Sequence, residues 1–548
     1  MQTITMILIL LVAVIASGFL TRLLPFKLPL PLMQIAVGAV LSAGIGFKVT
    51  LDPEIFFLLF IPPLLFIDGW RIPKDAFFHD LRPILALAIG LVMFTVIGMG
   101  FFVDWLIPAV PLAVAFALAA ILSPTDPVAV SAITAGTPIP SRLMHILEGE
   151  ALLNDASSLV CFRFAVVAAL TGSFSLASAS WQFVLVAGGG VVVGSVISWG
   201  VNFANKWLVR MAGEDPGIQI LISLLVPFVA YIAAEHLQFS GILAAVAAGI
   251  TMHHADLTGE RLATTRMQRL AVWDTVQLTL NGAIFVLLGE QLPTILMAAP
   301  QVAARNHIAN PWYLLLYVVL IGIALTVLRF VWVWASLKVS LIGSSHTPSD
   351  SKRFFKRRLL VMTCSGVRGA ITLAGILTLP IVMRDGSPFP ARDLMILLAM
   401  GVILLSLISG SILLPLLTRG ADWKVEVPLV RKEAKARGAA AKAAIARIEK
   451  LGQEKMANER DAQLRLEAIV RLTDMYRRRI SNGDAEDQES EIERARIAIE
   501  MEHKIHIEAL GAERHELDRL RMAGEITDTL HRRLVRELDL IETALLRQ

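Results

Sequence analysis

The chain is poor in cysteine, in charge over most of its length, and in proline at its end. Only two of its 548 residues are cysteines, Cys161 and Cys364, and both fall inside apolar runs. That excludes a disulfide framework, and isolated thiols in such settings behave as small hydrophobic side chains. Charged residues are 18% of the chain against 55% hydrophobic ones, and the mean hydropathy is +0.66. A soluble globular protein is not this apolar, and its repeated apolar runs of about 17 or more residues are long enough to cross a bilayer. No Lys or Arg precedes Arg22, so the apolar stretch from Ile4 lacks the basic start of a signal peptide and reads as a retained span.

What charge there is lies unevenly. Residues 421–548 hold 25 of the 50 Lys and Arg and 26 of the 46 Asp and Glu, a net of −1, leaving +5 on residues 1–420. The boundary between an apolar domain, 1–420, and a charged one, 421–548, therefore falls near Arg419–Lys424. The pI of 9.1 reflects basic loops and not a nucleic-acid surface.

Thirteen apolar runs, from 4–20 to 394–418, predict an all-α polytopic membrane protein. The tenth, 271–288, reads as broken by Asp274 and Asn281. If the N-terminus is outside, the inner loops carry 17 Lys and Arg and the outer loops 4. That asymmetry predicts an odd number of spans, with the C-terminal domain in the cytoplasm of a cell whose inner membrane holds the rest.

Two runs are interrupted at their centres. In the fifth, Ser123-Pro-Thr-Asp-Pro127 sets two prolines three apart, which deprives the Ala120 and Ser123 carbonyls of helical partners. In the twelfth, Gly366-Val-Arg-Gly369 brackets an arginine with glycines. Unwound backbone at that depth is tolerated only where it is buried in protein or lines a polar cavity. Broken spans in two halves are the pattern of an inverted-repeat transporter with a midplane site.

The sixth run carries Glu148, Glu150, Asn154, Asp155 and Arg163. An ionised side chain at bilayer depth costs about 2.5–3.5 kcal/mol even on lenient scales, so it marks an ion path more often than a packing device. Burial favours the protonated form of a carboxylate. Asp155 can then hold a proton or a small cation, one at a time, which is the minimal chemistry of exchange; the plainer reading is a buried ion pair that fixes helix packing. Glu150, Asn154 and Ser158 share a face at i, i+4, i+8. Asp126 is read either as an ion ligand or as the cap of the broken fifth span. Glu150 and Arg368 are expected to pair as a brace, and Arg329 and Glu290 to snorkel towards an interface.

Ser123-Pro-Thr-Asp-Pro-Val-Ala-Val130, Glu148-Gly-Glu-Ala-Leu-Leu-Asn-Asp155 and Gly366-Val-Arg-Gly-Ala-Ile371, in that order, resemble the cation/proton antiporter-1 family of bacterial NhaP-type antiporters and eukaryotic sodium–proton exchangers. Ile61-Pro-Pro-Leu-Leu-Phe66 and Ser240-Gly-Ile-Leu-Ala-Ala245 add to the resemblance, which covers roughly residues 5–420. It implies about thirteen spans, a homodimer in membrane lipid, and alternating access by a six-helix core. It implies that Asp155 carries the cation or proton, that Thr125 offers oxygen to the ion, and that Asp126 and Asn154 hold the helix crossing. Asn154 resembles the electroneutral branch, one cation for one proton. Two departures stand out: Asp68 is one position away from the acid of many relatives, and Ala151 replaces a serine, leaving Ser157 or Ser158 to supply a hydroxyl. Asp68, Ser157 and Arg163 are further candidates for the site.

The expected function is exchange of Na⁺, alternatively K⁺ or Li⁺, for H⁺, with no cofactor beyond the transported ions and no nucleic-acid partner. A potassium-preferring exchanger is the alternative. A channel fits broken helices less well, and an aspartyl hydrolase using Asp126 and Asp155 is the reading from the enzyme class. After Pro428 no proline occurs, and 491–546 has apolar residues at helical spacing, with a loop over Ser481–Glu486. This tail is expected to be helical, either regulatory, dimer-stabilising or merely solvated, and it has no nucleotide-binding glycine loop or metal cluster.

Overall fold

A computed structural model describes residues 2–24, 28–46, 53–72, 77, 79–134, 140–172, 176–257, 263–306, 308, 310–342, 352–383, 386–418, 438–450, 469–474, 477, 489–523 and 528–546. The chain divides into two compact units, Met1–Trp423 and Lys424–Gln548. The loop expected over 481–486 lies outside the described residues. Among those residues no strand forms; the extended pairing is one bridge, Val382 to Pro388.

The first unit runs α1 (Gln2–Leu23), α2 (Leu30–Ile45), α3 (Pro53–Arg71) and α4 (Leu81–Leu106). The broken α5 follows as α5a (Leu112–Leu122) and α5b (Pro127–Thr134). Then come α6 (Ser141–Thr171), α7 (Leu176–Ala212), α8 (Pro216–His236), α9 (Gly241–Leu257), α10 (Ala263–Arg305) and α11 (Trp312–Ile342). The broken α12, with halves α12a (Lys352–Cys364) and α12b (Ala370–Leu377), and α13 (Arg392–Thr418) complete it. Among the described residues eight helices are long and apolar enough to cross a membrane. The outer faces of α1, α7, α8 and α11 present large apolar side chains such as Phe19, Val192, Trp199, Leu221 and Ile323. These are the surfaces a bilayer solvates, and the protein is a multi-pass membrane protein.

The helices gather into two bundles. α4, α5, α6, α11, α12 and α13 pack on one another, as do α1, α2, α3, α7, α8, α9 and α10. The second bundle is tied by close crossings that repeat in the two halves of the chain. Gly38 on α2 lies against the Val286 carbonyl of α10, and Gly289 lies against that of Ile35. Likewise Gly69 on α3 meets the Val246 carbonyl of α9, and Gly249 meets that of Phe66. A Cβ at any of the four would overlap backbone, which is why glycine stands there: small residues let membrane helices approach closely.

Among the described residues the first bundle contains three departures from regular helix, and each is stabilised by named donors. In α4 the turn Ala86–Leu91 is π-helical. Its carbonyls at Ala86 and Ala88 accept from Trp332 Nε1 (2.9 Å) and Ser157 Oγ (2.7 Å). At the α5 break, Ser123 satisfies the Ala120 carbonyl through both its N–H and its hydroxyl (3.2 and 2.9 Å). The α12 break is satisfied by arginines: Arg329 Nε donates to Met362 O at 2.9 Å, and Arg368 Nη1 donates to Gly366 O at 2.5 Å. By contrast α10, expected to be interrupted at Asp274 and Asn281, is one continuous helix. Neither residue needs a break, because Asp274 pairs with Arg71 and Asn281 faces a polar cavity.

In the second unit α14 (Glu489–Met522) and α15 (Asp528–Leu546) pack together. Arg514 on α14 reaches Asp539 at 2.7 Å and Glu542 at 2.5 Å on α15, and His531 Nε2 lies 2.8 Å from Asp518 Oδ1.

Candidate functional site

The two broken helices cross where the first bundle meets the second. Asp126 N–H donates to the Val367 carbonyl at 2.8 Å, which joins one break to the other. Asp126 Oδ1 also accepts from Ala129 N–H at 3.1 Å, so it caps α5b. On its other side the Asp126 carboxylate lies directly against Gly369, the residue before α12b, where any Cβ would overlap it. The carboxylate therefore sits at the N-terminal ends of both half-helices, where partial positive charge favours it.

Asn154 and Asp155 stand on α6 facing this crossing, 1% and 6% exposed. Asn154 Nδ2 donates to Thr125 Oγ1 at 3.0 Å, tying α6 to the α5 break. Asp155 differs from its neighbours: among the described residues no donor reaches its carboxylate. It borders a cavity of about 40 Å³ lined by Asp68, Thr125, Asp126, Asn281, Gly369 and Thr372, among others. A volume of roughly 10–15 Å³ holds one water, so the cavity has room for a cation with part of its hydration. Three carboxylates, one amide and two hydroxyls on its walls are hard oxygen donors, suited to a small alkali or alkaline-earth ion.

The brace beside the site is not the expected one. Glu150 pairs with Arg329 of α11, not with Arg368: Nη1 to Oε1 is 2.5 Å and Nη2 to Oε2 is 2.9 Å, with both side chains almost fully buried. A two-pronged guanidinium–carboxylate pair is the strongest arrangement these groups form. Arg368, 4% exposed, points instead to the Gly366 carbonyl, and its N–H donates to Ser406 Oγ at 2.9 Å. Arg329 and Glu290 do not snorkel; they are 2% and 3% exposed.

Other candidates separate from the site. Ser158 Oγ donates to the Asp155 carbonyl at 2.9 Å within its own helix, and Ser157 Oγ donates to Ala88 O of the π-turn. Neither is among the residues lining the cavity, so the hydroxyl absent at Ala151 is not supplied by them. Arg163 pairs with Glu235 of α8 at 3.2 Å, away from the crossing. Asp68, in contrast, does line the cavity. Sequence reasoning gave Arg329 and Asn281 other roles, a snorkelling arginine and a helix break, and missed Thr372. Arg329 was within reach, because a lone arginine in an apolar run carries the same cost that singles out Asp155. Thr372 carries no comparable signal, since threonine is common in helices of either kind.

Known proteins resemble this chain in sequence and in overall fold. A family model described as "Sodium/hydrogen exchanger, transmembrane" matches residues 7–419. The chain is 41% identical over 547 residues to an uncharacterized Na⁺/H⁺ exchanger, YjcE, of Escherichia coli, covering 99% of this chain and 98% of that one. It is 40% identical over 524 residues to a sodium, potassium, lithium and rubidium/H⁺ antiporter of Bacillus pumilus, covering 95% and 74% of the two chains. Its fold resembles the solved structure of the sodium proton antiporter MjNhaP1 from Methanocaldococcus jannaschii, with a TM-score of 0.58 at 17% identity over 77% of this chain and 99% of that one.

Proposed function

Since the chain belongs to the sodium/hydrogen exchanger family of transmembrane antiporters, we propose that it exchanges Na⁺ for H⁺ at Asp155 by alternating access. It is a transporter and not an enzyme, so the aspartyl-hydrolase reading falls away. The observation that carries the proposal is the state of Asp155: a buried carboxylate, open to an oxygen-lined cavity, with no donor committed to it among the described residues. Asp126 is engaged by helix ends and Glu150 by Arg329. Asp155 is left to take its counter-charge from a proton or from a cation, and the two compete. Thr125 and Asp126 are further ligands of the cation. Asn154 positions Thr125 and adds no charge, which supports an electroneutral exchange of one cation for one proton. The residual charge of the crossing then never changes during the cycle.

Alternating access is supported by the two bundles. The site lies on their seam, with Asp155 and the broken helices on one side and Asp68 and Asn281 of α3 and α10 on the other. In this reading α1–α6 and α8–α13 are inverted repeats joined by α7, thirteen spans in all. The N-terminus is outside the inner membrane, the second unit is a cytoplasmic, regulatory domain, and the protein works as a homodimer for sodium and pH homeostasis. A potassium-preferring exchanger is not favoured, because relatives are named for sodium alone or for sodium together with potassium, lithium and rubidium.

Proteoliposomes carrying a Na⁺ gradient test the proposal. Na⁺-dependent proton movement is expected, unchanged in rate when valinomycin and K⁺ clamp the membrane potential. No Na⁺-dependent proton movement would overturn the function, and a rate that follows the potential would overturn electroneutrality.

A further inference from the structure

At the mouth of the cavity, α3 and α10 meet in a run of side chains that the exchange chemistry leaves unused. Asp68 and Arg71 stand three apart on α3, the spacing at which an acid and a base on one helix pair. Among the described residues they form neither an ion pair nor a hydrogen bond. Arg71 turns to α10 instead. Asp274 takes Nη2 in an ion pair, and Gln277 Oε1 accepts from Nη1 at 2.7 Å. Asp274 and Gln277 are themselves three apart, so one face of α10 grips both prongs of the guanidinium. The group that does approach Asp68 is neutral: Gln277 Nε2, 3.4 Å from Oδ1. Asp68 thereby remains a half-buried carboxylate facing the same cavity as Asp155.

We propose that Asp274 and Gln277 hold Arg71 away from Asp68 and so keep Asp68 available to draw cations towards Asp155. The three are positioning residues for transport, acting through Asp68; the inference rests on the exchanger reading above. The physical argument is competition for one guanidinium. Were Arg71 to fold back on its own helix, its charge would cancel that of Asp68. An entering cation would then meet a neutral pair where it now meets a negative group, and its local concentration would fall. With Asp274 in place the positive charge is neutralised on the rim, where Arg71 and Asp274 side chains are 34% and 60% exposed. Gln277 fills the space between and offers Asp68 a donor that carries no charge.

The test uses the full chain in proteoliposomes, with Na⁺-dependent proton flux measured against Na⁺ concentration. Asp274→Asn is expected to raise the apparent KM for Na⁺ about three- to fivefold with little change in kcat, the worth of one partly exposed ion pair. Adding Arg71→Gln to that variant is expected to bring KM back to within about twofold of the parent, because no guanidinium then remains to block Asp68. Gln277→Leu, a milder loosening, is expected to raise KM in the same direction and to be reversed by Arg71→Gln, so the inference stays testable if Asp274→Asn yields no folded protein. An unchanged KM in the single variants, or double variants no better than the singles, would overturn it, since a mere brace between α3 and α10 is not rescued by removing its other half. Absence of Na⁺-dependent flux in the parent protein overturns the exchanger reading instead.

Discussion

Six ionisable side chains meet around the helix crossing and its cavity: Asp68, Asp126, Asp155, Glu150, Arg329 and Arg368. Four acids against two bases leave an excess of negative charge, which protons and monovalent cations neutralise. Burying charge is tolerable only when it is balanced, so this excess favours the uptake of positive charge at the crossing. The Glu150–Arg329 pair is the structural part of the balance. Arg329→Leu is expected to lower stability by about 3–5 kcal/mol, because it strands Glu150 in the interior and frees the Met362 carbonyl. Combining it with Glu150→Leu is expected to recover most of that loss, as read by thermal unfolding of the detergent-solubilised protein. Arg368 substitutions are not expected to be rescued by Glu150→Leu; such rescue would show that the pairing runs through Arg368. The partners were legible in the sequence as a need for a counter-charge and not as an address. Glu150 requires a buried cation, but two arginines on separate helices satisfy that requirement, and only tertiary packing selects between them.

At the scale of elements, the breaks in α5 and α12 were readable because proline and glycine act locally: missing N–H groups and weak helix propensity are properties of the residues themselves. The continuity of α10 was not readable, since whether Asp274 interrupts a helix depends on Arg71 of a different helix. The same holds for the π-turn of α4, whose orphan carbonyls are met by Ser157 and Trp332 from other helices. The paired glycines give the element scale its own test. Gly289→Val is expected to force α2 and α10 apart and to cost about 1–3 kcal/mol or more, a drop in melting temperature that Gly44→Val, a position with open space around it, does not show. Equal effects at the two sites would contradict the close crossing. Gly369→Ala is expected to displace Asp126 and abolish transport while most of the fold's stability remains, which separates loss of flux from loss of protein.

For the whole molecule, two ion pairs among the described residues join the bundles that the proposed mechanism moves against each other. Arg163 of α6 reaches Glu235 of α8 at 3.2 Å, and Arg305 of α10 reaches Asp393 of α13 at 3.4 Å. Arg163 lies eight residues beyond Asp155, about 12 Å along the helix, on the side away from Asp68 and Arg71. Both pairs must part if the cavity is to open at that end. A bifunctional thiol reagent with a cleavable disulfide, bridging cysteines placed at 163 and 235, is therefore expected to stop transport and to release it under reduction; full activity in the cross-linked state would contradict a moving bundle. The central claim, however, concerns a single carboxylate that holds either a proton or a cation, and proton release measures it most directly. Na⁺ added to the purified, weakly buffered protein is expected to liberate one proton for each cation bound, and to liberate none from the Asp155→Asn variant. Proton release that persists in that variant would contradict the assignment of Asp155 as the carrier.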